Sequence, residues 1–212
     1  MGNTYERISL GVARHSLRDQ LIEAGLRVML HAGYVGSSVR DIAAEAAAPQ
    51  GSFTNHFRSK EAFAGEVLDR YFAHTRALVA QALDDESLKP RERLRRYLDI
   101  VTERLEADAF ARGCLIGDFS LEAAPQSEPL RAQLHAIFIE WRAPFAACIA
   151  AAQADGSIAS TFSADELADF LLTSWEGAIL RMKVERTSEP LERFKRIFFA
   201  TVLAPAGSAT AG

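Results

Sequence analysis

Apolar residues recur at three- and four-residue spacing along almost the whole chain, and the strict alternation of a half-buried strand is missing, so the pattern predicts an all-α fold. Leu21, Ile22, Leu26 and Leu30 form the first stripe and predict a helix over 17–32. Gly33 ends it, because glycine accepts the left-handed backbone of a helix C-terminus. Ser38, with Asp41 three residues on, reads as the N-cap of a short helix reaching Ala46. After a brief turn a second short helix spans 49–56. Ser59 starts a long helix over 60–83, with Phe63, Val67, Leu68, Tyr71 and Phe72 inward. Pro90 suits the first turn of the next helix. The periodicity then breaks across 113–117, and Pro125 and Pro129 bracket a loop. Three helices complete the pattern: 130–154, which Pro144 should kink; 164–186, behind the capping box of Ser163 and Glu166; and one from Pro190 to about Val202. The implied organisation is an N-terminal arm and three-helix unit (1–60), a larger helical unit (61–204) and a small, polar, disordered tail (205–212).

Charge changes this picture only slightly. The formal net charge is −4, but residues 1–60 hold seven Arg and Lys against five Asp and Glu. A mildly basic N-terminal unit on an acidic body is compatible with local attraction to phosphates. Two cysteines, Cys114 and Cys148, do not make a disulfide framework, and a reducing cytoplasm is the expected compartment. The N-terminus shows no signal-peptide pattern, and no apolar run reaches the roughly 18 residues of a membrane span. His15, His31, His56, His74 and His135 have no metal-ligand spacing, and no cofactor motif is present.

The chemistry is concentrated between Gly33 and Glu61, where two short helices joined by a tight turn match a helix-turn-helix. The second of them has only Phe53 and Phe57 as apolar anchors, which leaves Gln50, Ser52, Thr54 and Asn55 on a free face. Small hydrogen-bonding side chains on such a face suit base edges in a major groove. Arg58 and Lys60 beyond the helix, and Ser38 and Arg40 before it, suit phosphate contacts.

At this point the chain resembles the tetracycline repressor family, above all in the run GSF-x-NHF-x-SKEAF. The resemblance implies a homodimer that binds double-stranded operator DNA and is released when a small-molecule effector occupies the larger unit. It also implies that Ser52 matches the family's small hydroxyl, His56 a common phosphate neighbour and Lys60 the basic residue that opens the fourth helix. Gln50 stands where the family often has Lys, Thr54 where it usually has Tyr, and Ala47 where the turn usually carries Gly. A left-handed Ala47 would cost about 1 kcal/mol.

A second signature joins RGCLIGDFSLEAA (112–124) to WEGAILRMKVERTSEPLE (175–192) and resembles a branch of the family that responds to electrophiles, reactive chlorine or acrylate-type compounds. It implies a reactive Cys114 with Lys183 as the cation that lowers its pKa. Trp141, Trp175 and Phe119 are candidate pocket residues. The stripes Leu167, Leu171 and Ile179, and Leu191, Phe194 and Phe198, predict a dimer interface built as a four-helix bundle. Two rival readings remain: a helical ligand-binding or scaffold protein with weakened DNA binding, and an enzyme with Cys114 as nucleophile, for which no paired base is visible.

Overall fold

The computed structural model describes residues 16–205. The expected N-terminal arm and residues 206–212 of the expected tail lie outside these. The described residues form nine α-helices and no strand: α1 (Leu17–Gly36), α2 (Val39–Glu45), α3 (Gly51–His56), α4 (Lys60–Leu83), α5 (Pro90–Ala107), α6 (Leu115–Glu122), α7 (Glu128–Ala154), α8 (Ala164–Glu185) and α9 (Glu189–Ala200).

Serine sets five of these starts. The hydroxyls of Ser16, Ser38, Ser59, Ser127 and Ser163 each accept a bond from the backbone N–H three residues on, at 3.0–3.3 Å. Such a cap satisfies a donor that the helix cannot, and contributes about 1 kcal/mol. Several helix ends carry positive-φ residues, two of them beside the N-terminal head. Gly33 has φ 74° and interrupts α1 one turn before its end. A Cβ there would also strike the Glu122 carboxylate, so the position calls for glycine twice over. Ala47, past the end of α2, has φ 51°. Its N–H bonds to Ala44 O and that of Ala48 to Ala43 O, which closes a Schellman turn around a residue that has to tolerate the left-handed region.

Some boundaries differ from the sequence pattern. The break after α5 ends at Cys114, because Leu115, Ile116 and Phe119 already bury one face of α6. Pro129 belongs to the first turn of α7, and that helix continues through Pro144 to Ala154. Its length and mean hydropathy would suit a membrane span, but it packs on α4, α5 and α8 and buries Leu134, Trp141, Phe145 and Ile149.

One continuous apolar core runs from Leu21 to Leu203. The first turns of α4 close the three-helix head: Phe63 packs against Phe53 and Phe57, with ring centroids 4.7–5.2 Å apart. Gly25 of α1 lets this happen, since a Cβ there would overlap the Phe63 ring. Later turns of α4 pack on α5 and α7 inside the body. At the far end, buried Lys195 of α9 pairs with Asp99 at 2.7 Å and Glu192 at 2.6 Å.

Candidate DNA-reading head and effector cavity

α3 is held by Phe53 and Phe57, which are 2% and 4% exposed, while Gln50, Thr54, Asn55 and His56 are open to solvent and Ser52 is half-buried. Thr54 donates its hydroxyl hydrogen to Gly51 O at 3.0 Å, which leaves the oxygen able to accept. Arg40 and Arg58 are exposed on either side. The Ser38 hydroxyl is tied to Asp41 as a cap.

Lys60 departs from its expected role. Its ammonium donates to Tyr34 O at 2.5 Å and Ser37 O at 2.6 Å, and lies 4.7 Å from the Tyr34 ring centroid. Burial lowers its pKa, while nearby Glu122 acts the other way. The residue fastens the end of α1 to the start of α4, so its charge is turned toward backbone carbonyls instead of outward. Three more contacts join head to body. Glu122 accepts from Val35 N–H at 2.9 Å, Tyr34 meets Phe119 edge-on at 5.6 Å, and Ser127 donates to Glu61 at 2.5 Å. Phe119 is thereby placed between head and body and lines neither cavity described next.

A cavity of about 320 Å³ lies among α1, α4, α5, α7 and α8. Its walls include Leu26, Leu78, Val101, Tyr71, Tyr97, Trp141 and Trp175, with His74, Arg104, Asp108 and Arg112 among the polar lining. Arg112 is neutralised by Asp108 through two bonds of 2.6 and 2.7 Å. A second cavity of about 290 Å³ lies between α6, α7 and α8. Gly113, Cys114, Glu176 and Ile179 line both and so divide them.

Cys114 is 9% exposed. Burial first, and the charge of Glu176 second, push its thiol well above the ordinary range, against the pull of the Gly117 and Ile116 N–H groups and the Tyr71 hydroxyl. The expected cation is committed elsewhere: Lys183 passes close to Gly113, ammonium included, but bonds Asp118 at 3.1 and 3.2 Å. An activated Cys114 thiolate paired with Lys183 is therefore corrected to a buried, protonated thiol beside an acid. Burial likewise pushes the Cys148 thiol up to about 11.

Glu176 was not anticipated. Its Oε1 is buried without a hydrogen-bond partner, and burial raises its pKa to about 7, with Asp118 adding to the rise and Cys114 opposing it. The signal in the sequence was a carboxylate four residues after Leu172 and three before Ile179, on the buried stripe of α8.

The expected dimer residues also need correction. Leu167, Leu171, Ile179, Leu191 and Phe198 are at most 5% exposed inside the subunit, and half-buried Phe194 packs on Trp175 and Phe198. The lone chain uses both stripes for its own core. What it leaves open is the opposite side: Phe170, Leu180 and Val184 of α8, together with Ile197 of α9, are each more than half exposed. On α8 these apolar residues flank solvent-exposed Gly177, whose Cβ position is open space.

Comparison with known proteins agrees with this architecture. A family model described as "Bacterial regulatory proteins, tetR family" matches residues 21–67, and one described as "Tetracyclin repressor-like, C-terminal domain" matches 90–198. The HTH-type transcriptional repressor DhaR of Mycobacterium sp. (strain GP1) is 46% identical over 91% of this chain and 95% of its own length. The transcriptional regulator AcuR of Cereibacter sphaeroides is 35% identical over 84% and 81%. The crystal structure of a regulatory protein TetR from Rhodobacter sphaeroides superposes with a TM-score of 0.82 at 35% identity, covering 86% of this chain and 97% of that one.

Proposed function

This chain belongs to the tetracycline repressor family of bacterial regulatory proteins, and we propose that it represses transcription by binding operator DNA as a homodimer and releases it when a small molecule enters the body. The observation that carries the DNA-binding half is α3: two buried phenylalanines lock a short helix whose remaining side chains, Gln50, Thr54, Asn55 and His56, face solvent. A helix that buries so little of itself contributes little to the core, and its exposed groups can donate to and accept from base edges. Arg40 and Arg58 supply phosphate contacts; Lys60 stiffens the head.

The second subunit is assigned to the apolar outer face of α8 and α9. Phe170, Leu180, Val184 and Ile197 would bury against their symmetry copies, with Gly177 allowing two α8 helices to approach closely. The effector is assigned to the cavity among α1, α4, α5, α7 and α8. That cavity adjoins Gly113 and Cys114 at the start of α6, and the far end of α6 holds the head through Glu122 and Phe119. A shift of α6 would reach the reading helix through α1. Reversible binding fits better than thiolate chemistry, because Cys114 is held in its protonated form; the same point disfavours the cysteine-nucleophile reading.

A mobility-shift titration against DNA from the protein's own promoter region, across a salt series, tests the proposal. Affinity should fall steeply with salt as counterions are released. Weak, salt-insensitive binding would leave the ligand-binding scaffold in its place.

A further inference from the structure

Buried polar atoms in folded proteins are nearly always paired. Among the described residues three buried side-chain nitrogen or oxygen atoms lack a hydrogen-bond partner: Trp141 Nε1, Arg142 Nε and Glu176 Oε1. Trp141 and Glu176 line the same cavity of about 320 Å³, from α7 and α8 respectively. They are of opposite sense. An indole N–H can only donate, and a carboxylate oxygen accepts. The Trp141 N–H lies beside the Tyr97 hydroxyl without completing a bond. Around them the walls are largely apolar, with Leu26, Leu78, Val101 and Ile179 among them.

We propose that this cavity is built for a small, neutral organic molecule with an apolar body that carries both a hydrogen-bond acceptor, directed to Trp141 Nε1, and a donor, directed to Glu176 Oε1. This rests on the effector reading above and names its ligand class. A hydrocarbon would fill the walls and leave both polar atoms orphaned. An ammonium could serve Glu176 but offers Trp141 nothing to accept with. Once Glu176 is ionised, above about pH 7, a carboxylate could serve Trp141 but would meet the Glu176 charge. Arg112 is already committed to Asp108, and Arg104, which also lines the cavity, sits at its solvent-exposed edge. Alcohols and amides meet both demands. At about 320 Å³ the space lies at the lower end of ligand pockets, which favours a small molecule.

The test is calorimetric titration of the full-length protein with five probes of one shape: benzyl alcohol, benzamide, toluene, benzylamine and benzoate. Benzyl alcohol and benzamide should bind at least tenfold more tightly than the other three. Trp141→Phe and Glu176→Leu should each lose about tenfold for the two neutral polar probes while leaving toluene unchanged; each variant is first checked for an unaltered circular-dichroism spectrum. Should Glu176→Leu fail to fold, Trp141→Phe alone decides. The proposal is overturned if toluene or a charged probe binds most tightly, if neither polar neutral probe binds at millimolar concentration, or if a folded variant binds them as the parent does. Operator release, followed in parallel by anisotropy of labelled promoter DNA, separates the two claims. Binding that follows the predicted order without release upholds the ligand class and removes the effector role. Release by a charged or purely apolar compound, unaffected by either substitution, does the reverse.

Discussion

Replacing Glu176 with Gln should make the protein more stable in alkaline than in acidic solution relative to the parent. In the folded chain burial holds the Glu176 proton up to about 7, against 4.5 for an ordinary glutamate. Between those values the unfolded chain has released a proton that the native state keeps, so stability falls as pH rises. The penalty is absent below the unfolded value and complete above the folded one. Its full extent corresponds to about 3 kcal/mol, of which about 2 kcal/mol develops between pH 5 and pH 8. Glutamine is of nearly the same size and carries no charge to desolvate. The advantage of Glu176→Gln over the parent should therefore grow by about 2 kcal/mol, or about 5 °C in Tm for a chain of this length, from pH 5 to pH 8. Paired thermal melts at equal protomer concentration measure it, because a dimer's Tm depends on concentration. A gap between the two proteins that stays constant across this range would refute the buried-acid reading.

Four further outcomes can be checked independently. Ala47→Gly should raise stability by about 1 kcal/mol in a thermal melt, because it removes the Cβ from a left-handed residue at φ 51°. Val184→Glu, at a position 79% exposed, should convert dimer to monomer by light scattering with the helical spectrum intact; an unchanged dimer would move the interface off α8. Lys60→Met should cost about 1–3 kcal/mol by orphaning the Ser37 carbonyl and removing one of the two donors to Tyr34 O, the other being the Ser37 hydroxyl, with the salt dependence of operator binding unchanged. Arg40→Gln should leave stability alone and lower that salt slope by about two, one phosphate contact being lost from each subunit of the dimer.

What could be read from the chain alone followed from local rules. Serine caps, helix-breaking residues and the three- and four-residue period depend on neighbours close in sequence, and they placed Ser38, Ser59, Ser163, Gly33 and the short α3 well. The left-handed turn at Ala47 was suggested only by the family resemblance, which puts glycine at that position; nothing local marks an alanine for it. Errors arose wherever the answer depended on a partner far along the chain. Lys60 looked like a free cation until Tyr34 and Ser37 came to face it, and Lys183 looked like a neighbour of Cys114 until Asp118 took its charge. On α8, a helix wetted on one side and buried on the other, period alone cannot say whether a given stripe meets the chain's own core or a second copy. Leu167 and Leu171 went inward, and Phe170 and Leu180 stayed out. Glu176 was hidden because a lone acid within an apolar stripe resembles a surface residue slightly out of phase.

Phe63 and Val67 carry a practical consequence for engineering. The head takes its last wall from the opening turns of α4, and the same helix continues into the body as one rigid rod. A DNA-reading module excised at Lys60 would expose the Phe53–Phe57 pair to water and fall apart. Hybrid regulators that swap heads between relatives should therefore be joined beyond Val67, with Gly25 kept in the same donor as Phe63, so that the ring and the notch it occupies travel together.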